Sequence, residues 1–215
     1  MHWIDPAHLP ETKGTIDRFL LNPHGSADGL LLAEGMEVHF PPHMSKKVVA
    51  ALKVGDKVKI RGVGPRGTEM VAAVSLEAAD GTQIVDQGPP KEDHDHKPGM
   101  KHAAQAHKPV DAEGAVHRAL HGPKGEKRGA LLEDGRIVRM PPHAAASLYA
   151  LLAPGKKLAA RGDGVTNTLG TVIDAHEIGT SLAHLQPVEP KKPHEHAEDK
   201  RGKHDEPLKK HAPAA

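Results

Sequence analysis

The sequence predicts a mainly β protein built from two tandem copies of one small five-stranded module, each with a single helix. Three observations carry that prediction. Residues 14–64 align with 114–164 at a constant offset, with about 20 identities over about 51 positions, which marks an internal repeat. Within each copy, short runs alternate apolar and polar residues between Gly, Pro and Asn punctuation, as half-buried strands do. One stretch per copy instead carries apolar residues at helical spacing. The resulting order is β-β-β-α-β-β, repeated.

In the first copy, 14–22 reads as a strand with Ile16 and Leu20 on one face and Phe19 on the opposite, outward one. Asn22-Pro23-His24-Gly25 is turn chemistry, and 29–33 is a second apolar run. Glu34-Gly35 turns the chain tightly into Met36-Glu37-Val38-His39-Phe40, whose alternation sends Met36, Val38 and Phe40 inward and leaves Glu37 and His39 outside. Pro41-Pro42 ends that strand and presets a helix start. Met44, Val48, Ala51 and Leu52 then recur at helical spacing until Gly55 closes the helix. Residues 57–61 alternate again, with Val58 and Ile60 inward and Lys57, Lys59 and Arg61 outward; a Gly-rich turn leads to a last strand over 70–76. The second copy repeats the scheme, with Val138 and Met140 inward, Ala144, Leu148, Leu151 and Leu152 on the helix, and Leu158 and Ala160 in strand four.

The modules are expected over 13–88 and 112–188. The spacer 89–111 and the tail 189–215 are rich in Pro, Lys and His and lack an apolar period, so both are expected to be disordered: they bury too little apolar surface to offset ordering entropy. The chain has no cysteine, which excludes disulfide staples, thiol nucleophiles and Cys-based metal centres. Its 29 basic and 28 acidic residues leave a charge of +1, which argues against a histone-like polyelectrolyte binder. No run approaches the roughly 20 apolar residues of a membrane helix, and Met1-His2-Trp3-Ile4-Asp5-Pro6 lacks the regions of a secretory signal. A cytoplasmic protein with no membrane partner is expected.

The order of elements, with the helix between strands three and four, resembles the OB-fold, a Greek-key barrel that binds single-stranded nucleic acid or oligosaccharide. Gly29-Leu30-Leu31-Leu32 and Val38-His39-Phe40-Pro41-Pro42-His43 are similar to segments of small bacterial OB-fold proteins described as nucleic-acid binders. A pair of SH3-like barrels is the alternative fold, although it does not call for an amphipathic helix of this length. The resemblance implies a ligand lying across strands two and three, with the loops joining strands one to two and four to five closing over it. Carried onto this chain, it implicates His24, Glu37, His39 and Arg66 in the first copy and Lys124, Lys127, Arg128, Arg136 and Arg139 in the second. The outward residues Lys57, Lys59, Arg61, Lys157 and Arg161, with Phe19 as a stacking platform, complete the candidate set. The plainer alternative for all of them is a solvated strand face. Residues 14–88 carry about 8 basic and 9 acidic groups and 112–188 about 9 and 7, so the second copy is the better polyanion binder. With only two Phe, one Tyr and one Trp to stack on bases, binding of single-stranded DNA or RNA is expected to be weak, phosphate-directed and salt-dependent.

Histidine suggests a second chemistry. His94-Asp95-His96 in the spacer and His194-Glu195-His196 in the tail are ligand types that suit Zn, Ni or Cu(II), loosely held, or else a solubilising spacer. Pro41-Pro42-His43 and Pro141-Pro142-His143 are explained by the prolines ending a strand and starting a helix. Gly62-Val63-Gly64-Pro65-Arg66-Gly67 fits a phosphate-loop spelling but joins two strands, with no helix to follow. Arg161-Gly162-Asp163 has no acid at the matching position of the first copy, where Val63 stands. Neither a nucleophile elbow nor a metalloprotease motif is present, so a non-catalytic protein without a cofactor is expected.

Overall fold

The computed structural model describes residues 5–89 and 107–188. In the first repeat, β1 (Glu11–Leu21), β2 (Ala27–Leu32) and β3 (Glu37–His39) form an antiparallel meander. Helix α1 (Ser45–Ala51) follows, and then β4 (Lys57–Val63), β5 (Met70–Ala78) and a short β6 (Gln83–Val85). The strand order is β3-β2-β1-β4-β5-β6, and a parallel pairing of β3 with β5 closes the first five strands into a barrel. The second repeat runs β7 (Lys108–His121), β8 (Lys127–Leu132), β9 (Ile137–Arg139), α2 (Pro142–Ser147), β10 (Lys157–Asn167), β11 (Gly170–Gly179) and β12 (Leu185–Pro187). It closes in the same way, through parallel β9–β11. A circuit 1-2-3-5-4-1 with the helix between strands three and four is the OB arrangement, and the chain carries it twice. Among the described residues no helix is long and apolar enough to cross a membrane.

The short apolar residues do the packing. Val116, Ala130, Leu132, Val138, Met140, Leu158, Ala160 and Ile173 fill the second barrel, while Ile16, Leu30, Leu32, Val38, Phe40, Val58 and Ile60 fill the first. The helices are shorter than the apolar spacing predicts. Pro42–Met44 is a 3-10 turn leading into α1, and Leu52 leaves the helix in an extended conformation so that its side chain stays buried. His43 Nε2 lies 2.8 Å from Asp86 Oδ1, tying the strand-to-helix corner to the segment after β6.

Three further features depart from the expected pattern. Strands β6 and β12 each add a sixth strand to the sheet, and β7 begins at Lys108, so the end of the predicted spacer is strand. The third feature is Phe19, which is 5% exposed and packs in the core. The register slips between Ile16 and Arg18, a β-bulge that inverts the alternation beyond it. Phe19 therefore points into the barrel, as its counterpart Ala119 does, and cannot serve as an exposed platform. The rest of the predicted spacer and tail, with His94, His96, His194 and His196, lies outside the described residues.

Candidate nucleic-acid interface

The outer faces of strands one to three are not solvent-exposed, because the two barrels cover each other there. The bulge after Ile16 turns Leu20 outward, and its counterpart Leu120 is likewise fully buried. With Leu131, Ile137, Val165 and Val172 of the second barrel, Leu120 belongs to the same apolar cluster as Leu21 and Leu31 of the first.

Polar groups align the two faces. Arg118 donates from Nη1 to the carbonyl of Gly35 at 2.8 Å, and Arg18 in turn reaches Gly135, where a Cβ would lie 3.4 Å from its Nη1. Arg139 donates from Nε to the carbonyl of Leu21 at 2.9 Å, and its Nη2 lies 3.3 Å from Asp28 Oδ1. Burial pushes the Asp28 carboxyl up from its ordinary range, while Arg139 pulls it back. The centre of the seam is Glu37, with its side chain 1% exposed. The backbone N–H of His121 donates to Glu37 Oε2 at 3.0 Å, and His121 Nδ1 lies 2.9 Å from Oε1. Arg118 Nη2 stands 3.6 Å from Oε1 and His39 Nε2 3.4 Å from Oε2. Burial raises the Glu37 carboxyl, but these imidazole and backbone donors outweigh it and hold it at about 2.

The loops meet too. Asn167, in the turn between β10 and β11, donates to the carbonyl of Gly25 at 2.8 Å. At the reciprocal corner, a Cβ on Gly125 would lie 3.3 Å from Pro65 and 3.5 Å from Thr68. Each barrel's loop between strands one and two thus touches the other's loop between strands four and five.

The sequence candidates fall into three groups. His39 and Arg139, together with Glu37, are buried in the seam. A second group is exposed or half-exposed, and most of it is paired. Lys59 Nζ lies 2.6 Å from Glu77 Oε1, and Arg61 binds Glu11 and the carbonyls of Ala7 and Leu9. Arg136 binds Asp134 and the carbonyls of Asp111 and Glu113. Arg161 grips Asp111 with two nitrogens and also reaches Glu177. Lys57 lines a groove of about 680 Å³ with Lys13 and Lys59, but Glu34, Glu77 and Asp80 line it as well and cancel the charge. Lys157 stands exposed at the start of β10, at the position matching Lys57.

The third group is Arg66, Lys124 and Arg128, all exposed, with Lys127 beside them. Arg66 lies next to Pro65 and Lys124 next to Gly125, so the loop contact brings cations of both barrels to one rim. Among the described residues these four side chains form no ion pair with a carboxylate. His24, at the opposite corner, meets the ring of His107 edge-on at a centroid distance of 6.2 Å.

Residues that the sequence reading passed over include Arg118, His121 and Tyr149. Arg118 had a visible signal, since an arginine stands at the same place in the first strand of both copies. His121 had none, because the first copy has Leu21 there. Among the described residues, no group of three or more His, Asp or Glu is placed to hold a metal ion.

No family model matches this chain, and no curated protein does. Among solved structures, the wild-type single-stranded DNA binding protein from Thermus aquaticus is similar at 14% identity, covering 85% of this chain and 97% of that one, with a TM-score of 0.26. A deletion mutant of the same protein is similar at 15% identity, with 86% and 96% covered and a TM-score of 0.24. Strand order and barrel closure, not these overlaps, make each repeat an OB barrel.

Proposed function

We propose that the chain is a non-catalytic binding protein for single-stranded nucleic acid, and that its ligand follows the rim where the β4–β5 loop meets the β7–β8 loop. The observation that supports this reading is the gathering of Arg66, Lys124, Lys127 and Arg128 at that rim, while the basic rows on β4 and β10 are largely matched by carboxylates. Cations that no carboxylate holds in an ion pair are free to replace the counterions of a phosphate backbone. The faces across which OB-folds usually take their ligands are occupied here by the neighbouring barrel, so the rim is the surface left for a strand. Affinity that depends on phosphates falls steeply with salt.

The test is fluorescence anisotropy of labelled single-stranded DNA and RNA at about 50 mM salt, a regime in which phosphate contacts are strong. Binding is expected for the wild type. The triple substitution Arg66→Ala, Lys124→Ala, Arg128→Ala is expected to flatten the plot of log affinity against log salt by about 2, at roughly 0.7 per lost single-strand phosphate contact. Absence of binding by the wild type, or an unchanged slope in the triple variant, overturns the proposal.

A further inference from the structure

We propose that Tyr149 is a stacking platform for one unpaired base, with Lys127, Arg128 and Lys124 holding the flanking phosphates; this rests on the nucleic-acid reading and assigns it a base-contacting residue. Among the described residues, Tyr149 is the one Phe, Tyr or Trp ring left in solvent. It is 63% exposed, whereas Phe19 and Phe40 are buried.

Its exposure has a local cause. Helix α2 ends at Ser147, Leu148 adopts φ −101° and ψ 18°, and the chain continues as a 3-10 turn over Tyr149–Leu152. The tighter turn changes which side chains face the barrel. In the first repeat α1 continues unbroken past the matching residue, Val49, which packs partly against the core. The second repeat thus sets a large ring outside, where its burial contributes little to stability.

The ring also lies among cations. Lys127 Nζ sits 3.5 Å from the centroid of Tyr149, over one face, so a base would stack on the other face of this 63% exposed ring. Lys127 starts β8, so the ring stands beside the strand that also carries Arg128 and close to the loop that carries Lys124. An aromatic face flanked by cations is the combination that binds single strands, because every base has a π-face and every linkage a phosphate. A surface that recognised phosphate alone would not need the ring.

Two probes of equal length separate the terms: an oligothymidylate and the corresponding abasic oligonucleotide, which has the phosphates without the bases. The wild type is expected to bind the oligothymidylate about five- to thirtyfold more tightly than the abasic strand, equal to roughly 1–2 kcal/mol at 1.4 kcal/mol per tenfold. Tyr149→Ala should bring the oligothymidylate down to the abasic level with the salt slope unchanged, and Tyr149→Phe should keep the preference. Because the ring is exposed, a thermal melt of Tyr149→Ala should match that of the wild type. Equal affinity of the wild type for the two probes, or an undiminished preference in Tyr149→Ala, overturns the platform while leaving phosphate-directed binding in place. Failure of the wild type to bind either probe overturns both.

Discussion

Glu37 shows how one residue's setting changes when a second surface covers it. On an isolated barrel it would be an exposed strand residue of little energetic weight. In the seam it is a buried carboxylate, tolerated only because His121, His39 and Arg118 surround it. Its folded pKa of about 2 lies below its ordinary value of 4.5. A lowered carboxylate contributes stability that is complete above the unfolded value and is lost as pH falls through the folded one. The contribution is on the order of 3 kcal/mol, present above about pH 4.5 and disappearing toward pH 2. Chemical denaturation from pH 6 down to pH 2 should show this loss in the wild type. Glu37→Gln should be less stable at pH 6 by roughly 1–3 kcal/mol and should lose less stability across the acid window. Parallel acid profiles for the two proteins would mean that Glu37 is not the group being titrated.

At the level of elements, the alternation in β3, and in β4 and β10 as far as Arg61 and Arg161, was readable because those stretches are regular. The first strand was not, since a bulge leaves no mark in an apolar run: Ile16, Phe19, Leu20 and Leu21 look alike in hydropathy whichever face each takes. The pairing of the barrels escaped for a related reason. Leu21, Leu31, Leu120 and Leu131 gave the first two strands of each copy apolar residues on both faces, a pattern also expected of a strand covered on both sides. The candidate site was legible as to residue type in the loops that carry Arg66 and Lys124 and at the start of β8, where Arg128 stands, and illegible on the other strands, where partners came from far along the chain. A second bulge, between Arg61 and Gly62 and again between Arg161 and Gly162, explains the repeated Arg-Gly. A Cβ at Gly162 would collide with the carbonyl oxygen of Asp174, and one at Gly62 with that of Ala72. Gly162→Ala should therefore cost roughly 2–4 kcal/mol in denaturant titration by forcing β10 away from β11. A cost under about 0.5 kcal/mol, usual for surface substitutions, would show that the strands can part without penalty.

The two copies are similar enough to share a fold, yet their differences decide which surfaces pair. Positions 37 and 121 bring Glu37 against His121, while the matching positions 137 and 21 carry Ile137 and Leu21, both in the shared apolar cluster. Arg139 meets Asp28, at a position where the second copy has Arg128. Pairing the first barrel with another first barrel in the same way would bury Glu37 against Leu21. Pairing two second barrels would set Arg139 against Arg128 and leave His121 facing Ile137. Each like pair buries an uncompensated charge or donor, a cost of several kcal/mol, so the unlike pair is selected by repulsion as much as by attraction. Inserting a protease site within 90–106 and cutting the chain tests this directly. The two halves should co-elute as a 1:1 complex on size-exclusion chromatography, and native mass spectrometry should find no pair of like halves. Cut protein carrying Glu37→Ala should come apart at concentrations where the parent stays together. Separation of the cut wild-type halves at micromolar concentration, or a mixture of like and unlike pairs, would show that the linker and not the seam holds the barrels together.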